Sequence, residues 1–140
     1  MTHRGLRASW IVLTAVVVGF VASLMGCAAI GPVAQVTVPD IKSVTGTWKG
    51  IVYQSGVEPD YVTMTIQEDG SFNVVSAQRG GSSSARGKIV VRDGRLHFEG
   101  AQGGRGVATL SRNPAGDLVM NVDGTLSDNS TLTAKLYPSR

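Results

Sequence analysis

Few side chains in this sequence are of a kind that does chemistry, and the most reactive of them is the single cysteine, Cys27. A thiol can act as nucleophile, metal ligand, disulfide partner or acyl acceptor. With one cysteine there is no internal disulfide, even in an oxidising compartment. Beyond Cys27 the sole histidine is His97, which strand alternation sets opposite Leu96 and Phe98, as a solvated residue rather than a base or ligand. Glu58 and Asp60 flank Pro59 and could pair as acids or bind calcium, although loop carboxylates are more often simply solvated. Asp123-Gly124 with Asp128 lacks the ligand alternation of a calcium loop. Neither a spaced set of metal ligands nor a glycine-rich phosphate loop is present. This inventory points to a protein that is not an enzyme and takes no cofactor or metal.

The elements around Cys27 give it a different role. His3, Arg4 and Arg7 make a basic start, Trp10 to Leu24 is an apolar run, and small residues surround the cysteine, as in a secretory signal. Leu24-Met25-Gly26-Cys27 resembles the lipobox of bacterial lipoproteins, with Met25 larger than that family's usual residue. The resemblance implies a signal peptide over 1–26, cleavage between Gly26 and Cys27, and acylation of the Cys27 thiol, with palmitate among the chains such proteins carry. It implies a membrane anchor and a cell-envelope location outside the cytoplasm. Ala28 lacks an aspartate that resembles an inner-membrane retention signal, so in a cell with two membranes the outer one is expected. A signal anchor is the competing reading, since no charge lies between Arg7 and Asp40, but Gly26, Gly31 and Pro32 weaken such a helix.

Charge follows the same division. The formal net charge of +3 comes from 13 Lys and Arg against 10 Asp and Glu; losing Arg4 and Arg7 with the leader lowers it to +1. The high pI therefore does not signal nucleic-acid binding. Between Arg79 and Arg112 the chain is locally basic, with Asp93 and Glu99 as the only acids.

Residues 27–43 read as a lipidated tether: Gly31, Pro32 and Pro39 resist regular structure and no period is sustained. Fully extended, about 15 residues would reach roughly 50 Å. Over 44–140 the pattern has period two, as in Val62, Met64 and Ile66, or Leu132, Ala134 and Leu136. Asp69-Gly70 and Asp93-Gly94 are two-residue hairpin signals, and Asn113 to Gly116 is a slightly longer turn. Strands are expected over 44–53, 61–68, 71–77, 87–92, 95–99, 106–112, 117–122 and 130–137. Short strands in sequential hairpins favour an all-β, eight-stranded up-and-down antiparallel barrel, which leaves no sheet edge exposed; a β-sandwich is the alternative.

Gly46-Thr47-Trp48 in the first strand resembles the Gly-x-Trp signature of lipocalins and of the meander barrels that include avidins. In that group the Trp closes one end of the barrel, often under a basic side chain from near the chain end, a part Lys135 or Arg140 could take. The chain departs from the pattern by its short length and by the lack of further tryptophans after the leader. A barrel of eight strands is just wide enough to be filled by side chains or to hold one small ligand. The apolar inward candidates, from Trp48 to Leu136, favour a mostly filled core.

The connections divide into tight turns at one end and longer loops (54–60, 78–86, 100–105 and 123–129) at the other, which puts the tether at the tight-turn end. The long loops carry Glu58, Asp60, Arg79, Arg86 and Arg105 as a possible binding rim, its arginines facing an anionic envelope component. The expected function is that of an envelope lipoprotein with a non-catalytic binding module, for a small apolar ligand or that anionic component. A structural or protease-inhibitor-like protein with a filled core is the alternative.

Overall fold

A computed structural model describes residues 33–78 and 81–140. The expected signal peptide over 1–26, Cys27 and Arg79 lie outside the described residues. Among those described, no helix is long and apolar enough to cross a membrane.

The strands are β1 (Ala34–Val36), β2 (Gly46–Gln54), β3 (Asp60–Ile66), β4 (Ser71–Gln78), β5 (Gly81–Arg92), β6 (Arg95–Gly100), β7 (Arg105–Arg112), β8 (Leu118–Thr125) and β9 (Thr131–Pro138). From β2 to β9 each strand pairs antiparallel with the next, and β9 pairs back onto β2, closing an up-and-down barrel. The sandwich alternative is thereby excluded. Alternation then sends one residue in two into the lumen. Trp48, Met64, Ile66, Leu96, Leu110, Met120 and Leu136 are buried in one cluster, as their period-two spacing requires.

Four connections share one device. In 67–71, 100–104, 113–117 and 126–130 the first residue's N–H donates to the carbonyl of the fifth, and the fourth residue's N–H donates to the carbonyl of the first. The fourth residue has positive φ each time: Gly70, Gly103, Gly116 and Asn129. Three of these are glycine because an L side chain is crowded there; Asn is the next most tolerant residue. Asp69-Gly70 is thus the end of a longer turn rather than a two-residue hairpin, whereas Asp93-Gly94, with φ of 51° and 71°, is the tight type.

Two expectations about the N-terminal part and the loops are corrected. Residues 34–44 belong to the folded body, not to a tether: β1 pairs with Leu110–Arg112 of β7, where β6 has already ended. Val38 N–H donates to the Gly94 carbonyl, and a single 3-10 turn, Ile41–Val44, is capped by the Asp40 carboxylate accepting from Ser43 N–H. Val38 and Val44 are buried against the barrel's end. This segment has no local period because its partners are distant in sequence; they, and not its own residues, make it a strand.

The expected difference in loop length also disappears. Strand β5 begins at Gly81 and β8 runs to Thr125, so the connections at that end shorten to 55–59, 79–80, 101–104 and 126–130. Glycine and serine over 81–84 carry no hydrophobic alternation to announce a strand, yet they pair along β4 from Gly81↔Gln78 to Ser84↔Val75. The ladder to β6 starts only at Gly87, so β5 from Gly81 to Ala85 has no second strand partner among the described residues. Among the described residues, the barrel therefore does keep a short unpaired edge along β5.

Candidate functional site

The lumen is filled at one end and hollow at the other. At the filled end Trp48 is 3% exposed and its indole Nε1–H donates to the Val44 carbonyl at 2.9 Å. Gly46, two residues earlier, has φ of 117°, a conformation that accounts for the glycine of the Gly-x-Trp triplet. Lys135 does not serve as its lid: it lies between the inward Ala134 and Leu136 and is exposed on the outer face of β9, and the Trp48 N–H is satisfied by Val44. Val38 and Val44 cover this end.

At the other end the inward positions carry smaller residues. Along β7 the inward series runs Leu110, Ala108, Gly106; along β8 it runs Met120, Val122, Gly124; along β6 it runs Leu96, Phe98, Gly100. Each series ends on glycine at the rim, and the missing volume appears as a cavity of about 340 Å³. This corrects the expectation of a mostly filled core. Val52, Val62, Met64, Val74, Leu132 and the edge-to-face pair Phe72 and Phe98, with centroids 5.2 Å apart, form an apolar wall. The volume lies at the lower end of the range for small-molecule pockets, roughly 300–1,000 Å³.

Polar groups are few. Ser76 and Ser83 face each other across β4 and β5 with their hydroxyl oxygens 3.0 Å apart. Asp60, the first residue of β3 and opposite Val52, lines the cavity, and its Oδ2 is buried without a hydrogen-bond partner. Glu58 lines the mouth from the connection before β3.

The expected rim comes together only in part. Glu58 and Asp60 are adjacent to the mouth, and Arg86 and Arg105 border the cavity. Arg86, however, is a strand residue opposite Asn73 and sits between Ala85 and Gly87, whose phase is inward. Arg105 opens β7 opposite Glu99 and also lines an outer groove with His97, Glu99 and Asp123. The two carboxylates thus stand at the mouth while both arginines take the outward phase of their strands at its border, so the rim is not a basic ring. Ser76, Gly100, Gly106 and Gly124 were not legible as site residues; small residues in the inward phase of a strand were the available signal.

Asp128 and Asp69 have structural employment in turns. Asp128 accepts from the Ser130 hydroxyl and N–H, at 2.6 and 2.9 Å, which holds its carboxyl below the usual range. Asp123 is a strand residue opposite Val107, so 123–128 is not a cation loop. Asp69 accepts from the Ser71 hydroxyl and N–H and from Lys88 at 2.9 Å, and its carboxyl is held well below the usual carboxylate range by Ser71 first and Lys88 after it. Among the described residues no cluster of three metal-ligating side chains occurs.

No protein-family model matches the chain, and no curated protein does. Among solved structures, a redesigned β-barrel is similar to it with a TM-score of 0.53 and 17% sequence identity, covering 75% of this chain and 99% of the other. At that identity the likeness shows the fold alone, a β-barrel.

Proposed function

We propose that the protein is a lipid-anchored envelope lipoprotein whose barrel is a non-catalytic binding module for one small apolar ligand. The observation that carries the binding half is the apolar cavity of about 340 Å³, opening at the end opposite β1. An unfilled apolar volume forgoes packing that larger inward residues would supply, and a ligand restores those contacts. The anchoring half rests on the lipobox-like Leu24 to Cys27, and a tether at the β1 end would turn the mouth away from the membrane. Exposed Arg86 and Arg105 at the cavity border favour, as a second reading, an anionic envelope component held outside the barrel.

A native mass spectrum of the protein purified from its own cells tests the binding half. A retained small molecule is expected, released on mild unfolding. A mass equal to the polypeptide with its acyl chains alone, together with failure to displace an apolar dye, would refute it. Labelled fatty acid incorporated into the native chain but not into Cys27→Ser tests the anchor.

A further inference from the structure

The cavity has one chemical peculiarity in an otherwise apolar wall, the carboxylate of Asp60. Its Oδ2 is buried and meets no donor among the described residues. A buried acceptor without a donor is costly, and an ionised carboxylate, which can only accept, more so. The cost persists only where something repays it, and the residue stands at the mouth, partly exposed, where a ligand can supply the donor. Glu58 lies two residues away on the same side and adds negative potential, whereas Arg86 and Arg105 border the mouth from other strands.

We infer that Asp60 is the head-group anchor of the cavity, and that the ligand is a compact apolar molecule bearing a protonated amine. This rests on the binding module proposed above. The amine donates to the Asp60 carboxylate while the apolar body lies against Phe72, Phe98 and Met64. Charge-assisted hydrogen bonds of this kind are among the stronger polar contacts, so the head group, not the tail, sets the choice of ligand.

Met64 and Met120 provide an internal pair of reporters, since Met64 lines the cavity and Met120 is buried in the filled end. The full chain in lipid nanodiscs, labelled at methionine methyl carbons, is titrated with 2-phenylethylamine, 2-phenylethanol and 3-phenylpropanoate. These share one body and differ in head group. The Met64 resonance should shift and the Met120 resonance stay, with the amine binding about tenfold more tightly than the alcohol and the carboxylate weakest. Asp60→Asn should bring amine and alcohol to within about twofold while leaving alcohol affinity unchanged; Glu58→Gln should change the ratio far less. Equal affinities of the three in the native protein would overturn the role of Asp60 and leave the apolar module standing, with water satisfying the carboxylate. No shift of Met64 with any of them overturns both. Preference for the carboxylate, lost in Arg86→Ser, would overturn the inference in favour of the anionic reading.

Discussion

The two ends of the barrel are made by the same strands and differ in what each strand presents inward. At the β1 end Trp48, Ile66, Leu110 and Met120 fill the lumen, and residues 38–44 close over them. Two or four residues further along, the same ladders present Gly106, Gly124, Gly100 and Ser76. A strand thus passes from core to cavity wall without any change of backbone, by side-chain volume alone. Buried apolar packing is concentrated in one half, and unfilled volume in the other.

The largest effect should come from the filled half. Trp48→Ala removes a buried aromatic side chain and should cost about 3–5 kcal/mol in urea unfolding followed by circular dichroism. That is a large share of a domain stability of about 5–15 kcal/mol. A loss below about 1 kcal/mol would mean that this end is not the stabilising one. Trp48→Phe separates ring from hydrogen bond: it keeps most of the packing but strands the Val44 carbonyl, and a smaller loss of about 1–3 kcal/mol is expected in the same measurement.

The open half should respond in the opposite sense. Ala85→Leu adds bulk at an exposed position that lines the cavity, so stability should stay within about 0.5 kcal/mol while binding of the phenylethyl probes falls at least about tenfold. Calorimetry and the Met64 shift read the two quantities on one sample. Lost stability with binding intact would invert the division between the halves.

The smallest effect compares the turns. Asp69 sits at the filled end and Asp128 at the open end, in related Asp-x-Ser sequences, and each carboxyl is held below its ordinary value of 3.8 mainly by its serine. A depressed folded value means that the contribution is fully present above that ordinary value and is lost as pH falls below it, through the lower folded value. Asp69→Asn and Asp128→Asn should therefore each flatten the decline of melting temperature below pH 3.8. The Asp69 variant should do so more, because Asp69 also pairs with Lys88.

How much of this was legible in the residues depended on whether a signal was local. Val62, Met64 and Ile66 declare their strand by alternation, and Asp93-Gly94 declares its turn by needing two positive φ angles. Strand β1 is three residues long and exists only because Leu110–Arg112 is left uncovered by β6, a fact distributed over distant parts of the chain. The first part of β5 is silent for another reason: glycine and serine have low strand preference, and pairing with β4 overrides it. The cavity was hidden likewise, because it consists of side chains that are not there. Of the expected rim, Asp60 was found by its type and Arg86 was misplaced in a loop, since the residues before it gave no sign of being a strand.

The uncovered side of β5 over Gly81 to Ala85 bears on how copies of the protein behave when crowded. A free strand edge is a template on which a neighbouring chain can continue the sheet, and long, flat, β-branched edges are the ones that do so. This edge is short, built from Gly81, serines and Ala85, and followed at once by the exposed guanidinium of Arg86. It offers a neighbour backbone groups but almost no apolar surface to hold it, and a charge at the point where a growing sheet would have to extend. The residues that made this strand hard to recognise are the same ones that make it a poor seed for assembly.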